Sequence, residues 1–259
     1  MMSFPAQSGS PEDNRQRTNR AVSDTLAFVI TFSIIVASVG VVYGVGFGSL
    51  MDIRDDQQGV NAQQTFEVLG KDISEIRDGG ATSSSGRIEL REGTLAVNMT
   101  SHVTIKINGS ETVYDGPLGA LTFRVDETTT MGYEGGASFG KYQTNSVMNT
   151  APQFQCGSNS GTTVISLVVL EPQGPSVGSS GTVAITASKK NASLVFPERI
   201  TADPDVDEVS VTISNSQFQE AWSREFEGRS DWSRSGNTYT CDTERVFVRV
   251  TVVEIEFET

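Results

Sequence analysis

From Thr25 to Met51 the chain carries no charged side chain (TLAFVITFSIIVASVGVVYGVGFGSLM), and Asp24 and Asp52 bracket the run. No other stretch constrains the fold so strongly. As a helix it would extend about 40 Å against roughly 30 Å of hydrocarbon, enough to span a bilayer with some tilt. The flanks set an orientation. Arg15, Arg17 and Arg20 precede the run, whereas Asp52, Arg54, Asp55 and Asp56 follow it. Positive charge stays on the cytoplasmic side, so a single pass is expected with a short tail inside and the main domain outside. A secretory signal peptide competes with this reading, but its apolar part is shorter, about 7–15 residues. Gly40, Gly44 and Gly48 lie on one helix face. Such a stripe lets membrane helices approach closely, although glycine is also simply frequent in membrane spans.

The residues ahead of the span form a pattern of their own. Arg20-Ala21-Val22-Ser23-Asp24, followed directly by the apolar helix, resembles the start of haloarchaeal type IV pilin precursors, which carry a class III signal peptide. Those have a short basic leader, then Ala or Gly at the cut, then Val-Ser-Pro and a hydrophobic helix. The resemblance implies that a prepilin peptidase cuts between Ala21 and Val22, and that the apolar segment stays on the mature protein as its anchor and filament core. Three features depart from the pattern. Asp24 stands where many of these pilins have proline, Leu26 stands where bacterial pilins carry a glutamate, and the exported part exceeds that of a typical archaeal major pilin. The Phe154-Gln155-Cys156 turn and the later SNSQFQEAWSREFE segment extend the resemblance to a haloarchaeal pilin-like surface family.

Beyond the span, Phe66, Leu69, Ile73 and Ile76 recur at helical spacing until Asp78-Gly79-Gly80 stops the pattern. Residues 81–86 read as a flexible joint. From Arg87 the period becomes two: Leu95, Val97 and Met99, then Val103, Ile105 and Ile107, with a tight turn at Asn108-Gly109 before Val113. Leu121, Phe123 and Val125 give another strand, and Val164–Leu170 is continuously apolar, as for a central strand buried on both faces. Val183 and Ile185, and then Val209, Val211 and Ile213, continue the alternation. Near the C-terminus Val246, Val248, Val250 and Val252 share a face before the pattern shifts at Val253, as a bulge would shift it. One helix interrupts, with caps at Ser214-Asn215-Ser216, an apolar face of Phe218, Ala221, Trp222 and Phe226, and an end at Gly228. The expected class is α+β: an N-terminal transmembrane helix continuing into an extracellular antiparallel β-sheet or sandwich with one packed helix. The expected divisions are a leader at 1–21, an anchor at 22–51, a continuing helix at 52–80 and a β-rich domain at 81–259.

Composition removes several functions. Acidic residues number 32 against 19 basic, a net charge of −13, so phosphates would be repelled and nucleic acid is not an expected partner. Lysine supplies only Lys71, Lys106, Lys141, Lys189 and Lys190. A dispersed acidic surface poor in lysine fits a very salty environment, with an ordinary acidic exported domain as the plainer alternative. His102 is the single histidine and Cys156 and Cys241 are the only cysteines, which removes His-rich and CxxC metal sites. No GxSxG, HExxH or phosphate loop occurs, and glycine-rich Gly132–Gly140 lacks the lysine-threonine end of the last. Alternating acids at Asp203, Asp205, Asp207 and Glu208 lack EF-hand spacing and read as a solvated loop. No cofactor, metal or catalytic residue is expected, and an enzyme is the least favoured class.

Two kinds of covalent feature remain. An oxidising exterior favours a Cys156–Cys241 disulfide, with two buried thiols as the alternative. Sequons at Asn98, Asn108 and Asn191 mark candidate N-glycosylation sites, with the hairpin tip at Asn108 the most exposed by pattern. Two functions fit. One is a pilin-like surface protein, structural or adhesive, whose partners are membrane lipid, a prepilin peptidase and further pilin-like subunits or copies of itself through the N-terminal helix. The other is an uncleaved single-span module presenting its β domain to a ligand or surface partner.

Overall fold

Four apolar residues at helical spacing dictate how the segment after the span is used. A computed structural model describes the backbone of residues 11–157, 161–198 and 205–258, and the side chains of 26–44, 60–61, 63–90, 93–157, 161–178, 181–198 and 205–258. Helix α1 (Pro11–Asp78) is continuous in secondary structure. The chain nevertheless divides into two compact units, one ending at Gln57 and one beginning at Gln58. In the second unit Phe66, Leu69, Ile73 and Ile76 are all buried, as their spacing requires. Gly79, at φ +88°, then ends the helix, and the Gly80 and Ala81 N–H groups return to the Glu75 carbonyl.

Among the described residues, fourteen strands and a second helix follow: β1 (Ser83–Asn98), β2 (His102–Ile107), β3 (Glu111–Pro117), β4 (Ala120–Arg124), β5 (Thr129–Glu134), β6 (Ala137–Tyr142), β7 (Asn145–Thr150), β8 (Phe154–Gln155), β9 (Thr162–Gln173), β10 (Val177–Phe196), β11 (Glu208–Ser214), α2 (Gln219–Glu227), β12 (Ser233–Ser235), β13 (Thr238–Asp242) and β14 (Arg245–Glu258). Among the described residues they form a nine-stranded sheet, β7-β6-β5-β4-β1-β10-β14-β9-β8, and a five-stranded sheet, β12-β13-β11-β2-β3. The 60s and 70s of α1 pack on one face of the large sheet, with Ile88, Leu90, Leu121, Phe123 and Ile185. The small sheet and α2 pack on the other, where Val103, Ile105, Val209 and Val211 meet Leu167 and Val248. The second unit is therefore three-layered, with the large sheet in the middle.

This burial of both faces explains several departures from expectation. The proposed joint at 81–86 is largely strand, with Ser83–Gly86 paired to Ser188–Ile185. The sheets are not wholly antiparallel, since β9 and β14 run parallel over twelve residue pairs. Val164–Leu170 lies one strand from the edge, inside only the two-residue β8, rather than at the centre. Its last part is nevertheless buried on both faces, with Leu167 and Val169 in one core and Val168 and Leu170 in the other.

The pattern shift at Val253 has a different origin from a bulge in its own strand. Pairing of β14 with β9 is uninterrupted there; the extra residue is Lys190 on the neighbouring β10. Val246, Val248 and Val250 serve the core under the small sheet, and Val253 and Ile255 the core under α1. The apolar face changes because the layer that covers the strand changes. Lys190, released from the ladder, reaches Glu171 at 2.6 Å and Glu254 at 3.1 Å.

Other local readings meet the structure directly. Asn108 (φ +49°) and Gly109 (φ +67°) make the expected β2–β3 turn. Met99 lies beyond β1 and is exposed. In α2 the N-cap position is Phe218, and no side chain caps the helix there. Ser216 instead accepts the Phe218 N–H at 3.0 Å, just outside the helix.

Candidate functional site

The described apolar helix is a surface feature rather than a core element. Leu26–Gly44 is long and apolar enough to cross a membrane, and none of it is buried. Such a helix serves as a membrane anchor or a signal sequence. Two of its polar side chains bond within the helix, as hydrocarbon would require: the Thr31 and Ser38 hydroxyls donate to the carbonyls of Ala27 and Ile34, at 2.8 and 2.6 Å. Phe28 and Phe32 stack one turn apart at 6.2 Å. Around Gly40 and Gly44 nothing approaches within 4 Å of where a Cβ would stand, so both are open to a neighbour. Ala21 and Val22 lie on the α1 backbone, but their side chains and the surroundings of Gly48 fall outside the described residues.

In the β-rich unit, Cys156 and Cys241 form a disulfide, with Cα atoms 5.8 Å apart. Cys156 directly follows β8 in the large sheet and Cys241 lies on β13 in the small one, so the bond ties the two sheets together. The Asn108 side chain, assigned to an open hairpin tip by pattern, is engaged. Its amide donates to the Asp205 carbonyl at 3.0 Å, and its oxygen accepts the Asp207 N–H at 2.8 Å. The Asn98 amide donates to Thr122 Oγ1 at 3.0 Å, whereas Asn191 is exposed beside the bulged Lys190.

The remaining chemical candidates separate cleanly. His102 pairs with Asp115 at 2.9 Å on the exposed side of β2–β3. The Thr104 hydroxyl and then the His102 ring hold the Asp115 carboxyl below the usual carboxylate range. Asp205 and Asp207 are exposed, Asp203 lies outside the described residues, and no cluster suited to a metal ion occurs among those described. These sites are dispersed over the unit.

One buried polar cluster escaped the sequence reading. Glu134 ends β5 just before Gly135-Gly136, both at positive φ in a two-residue hairpin. Its Oε1 accepts Ser216 Oγ at 2.7 Å and Trp222 Nε1 at 2.8 Å, while Oε2 is buried without a partner. Burial raises its pKa above the ordinary 4.5, against the opposing effect of these donors. The cluster joins β5 to α2 inside the core, where Glu134 is fully buried. The sequence signal was only an acid before a Gly-Gly turn, which does not by itself mark burial.

No curated protein and no solved structure matches the chain. One family does, over residues 20–258, a match that takes in the apolar helix and both sheets. The chain belongs to the family of unknown function DUF7289.

Proposed function

We propose that this chain is a pilin-like, membrane-anchored surface protein with a structural or adhesive role, able to enter a filament as a subunit. The observation that carries the reading is the wholly exposed apolar helix Leu26–Gly44, set directly behind the Arg20-Ala21-Val22-Ser23 junction. An exposed apolar surface of this size needs lipid or other helices to cover it. The inter-sheet disulfide supports an oxidising exterior for the β-rich unit, and the arginines before the span support a cytoplasmic tail. Membrane lipid, a prepilin peptidase and neighbouring copies through Gly40 and Gly44 are the partners this reading requires. The acidic composition supports a saline exterior as the setting.

A second reading has its own observation. Asp24, three residues past the junction, places a charge at the start of the span. If that charge blocks processing, the chain is an uncleaved single-span module presenting its β-rich unit. Mass spectrometry of the protein purified from its native membrane separates the two. A mature chain beginning at Val22 is expected; one retaining Arg15–Ala21 overturns processing by a prepilin peptidase and leaves the presenting module.

A further inference from the structure

Between the 67–75 segment of α1 and the β5–β7 wing of the large sheet lies a cleft of about 450 Å³, within the size range of small-molecule sites. Its lining residues are mostly polar in type, with two acids and one base, although much of the surface they expose is carbon. Glu67, Lys71 and Glu75 stand on the helix side, and Ser138, Asn149 and Thr150 on the sheet side. Gly70 and Gly136 also line it, and a side chain on Gly70 would meet the Tyr133 ring.

Three observations set this cleft apart from an ordinary surface groove. First, two of its lining hydroxyls are buried: that of Tyr133, 1% exposed, stands beside Ser74, and that of Ser138, 2% exposed, has no hydrogen-bond partner. The neighbouring Ser74 hydroxyl is turned back to the Gly70 carbonyl at 2.8 Å. Buried polar groups are nearly always paired, and an orphan calls for a water or a ligand. Second, the ladder of β6 with the edge strand β7 slips here. Ser138 pairs with Thr150 and Phe139 with Met148, leaving Asn149 extra. In a regular strand neighbouring residues face opposite ways; this bulge lets Asn149 and Thr150 both line the cleft. Third, outside the lining but on the same sheet face as Ser138, the Tyr142 ring folds over Gly140 yet remains 45% exposed, beside an equally exposed Val147.

The lining chooses the ligand class. Charges of both signs favour neither a strong anion nor a cation, and no metal-binding cluster occurs among the described residues. Neutral hydroxyls and an amide, with carboxylates and an ammonium at the rim, offer donors and acceptors together. A polyhydroxylated ring uses both at once, and the exposed Tyr142 further along the same sheet face offers an aromatic platform for its C–H surface. We propose that the cleft between α1 and the β5–β7 wing binds a neutral saccharide unit through Tyr133, Ser138 and Asn149, with Tyr142 as a stacking ring.

This assignment deepens the adhesive reading and stands whether or not the leader is removed. The test uses the full chain in lipid nanodiscs, free of sugar-headed detergent. Saturation-transfer NMR is run against glucose, galactose, mannose, N-acetylglucosamine and their β-linked disaccharides at about 20 mM. Saturation transfer to at least one sugar is expected. Tyr133→Phe and Asn149→Ala, which remove one polar group each, should weaken it about five- to tenfold. Tyr142→Ala, at a half-exposed position, should weaken it as well, whereas His102→Ala on the other sheet should not. Circular dichroism and melting of each variant separate lost binding from lost fold. No transfer to any sugar, or transfer unchanged in all three cleft variants, overturns the proposal and leaves a water-filled cleft. Because the N-terminus is read separately by mass spectrometry, failure here does not bear on processing, and a retained leader does not bear on the cleft.

Discussion

Glu134 shows what a single buried residue can do to this molecule. Its carboxyl has one oxygen satisfied twice and the other orphaned, and burial raises its pKa above the ordinary 4.5. The folded chain therefore keeps a proton that the unfolded chain has already released. Stability from this group is complete below about pH 4 and falls as pH climbs toward the folded value. Glu134→Gln keeps an acceptor for Ser216 and Trp222 and adds a donor that can face the buried, unpartnered Ser101 hydroxyl, without a charge to desolvate. The variant should melt higher than wild type at neutral pH, by about 2–4 °C for each kcal/mol recovered, and the advantage should shrink near pH 4. Parallel melting-against-pH curves would show that Glu134 does not titrate differently in the two states. None of this was legible beforehand, because the residue precedes two turn glycines and reads as a surface acid. Only the arrival of α2 from more than eighty residues away buries it.

At the level of elements, local periodicity served well where one face of a segment is covered and less well where two are. Phe66, Leu69, Ile73 and Ile76 were readable because one apolar stripe meets one sheet, and the β2–β3 hairpin because Asn108-Gly109 specifies its turn. β14 was not, because its two faces serve different cores in turn and the irregularity belongs to the adjacent β10. The β5–β7 wing was missed for a related reason: glycines and polar residues at 132–150 carry little hydrophobic alternation, and their strands exist through pairing. The Cys156–Cys241 bond joins elements whose meeting no periodicity reveals. It ties the region beside β8, a two-residue strand at the sheet edge, to β13 across the core, closing a separation of 85 residues. In the chain-entropy treatment a loop of that size confers about 4–5 kcal/mol. Replacing both cysteines by serine, or adding reductant, should lower the melting temperature of the purified chain by about 8–20 °C. The β8 edge should become the first site of proteolysis. A reduced chain that melts with the oxidised one would mean that packing of the two sheets holds that edge unaided.

For the whole molecule the governing quantity is charge. The chain carries −13 overall, and among the described residues Asp78, Asp115, Glu171, Glu225, Glu227 and Glu254 enter ion pairs. These pairs are mostly exposed, and such pairs contribute little individually. What they leave is a self-repelling surface, tolerable where salt reduces the Debye length to about 3 Å at 1 M and costly where it reaches about 10 Å at 0.1 M. The same field bears on assembly. The helix packing through Gly40 and Gly44 proposed above would bring acidic units together, which low salt opposes and high salt permits. Raising sodium chloride from about 0.1 to 3 M should therefore raise the melting temperature and shift the nanodisc-free chain toward larger assemblies by light scattering. Sodium sulfate at equal ionic strength separates screening from exclusion of salt from the surface. If screening governs, the two salts act alike, whereas a gain from sulfate alone would point to apolar burial strengthened by salt exclusion. A chain equally stable and equally dispersed across the whole range would remove salinity as the reason for the acidity and leave an ordinary acidic exported domain.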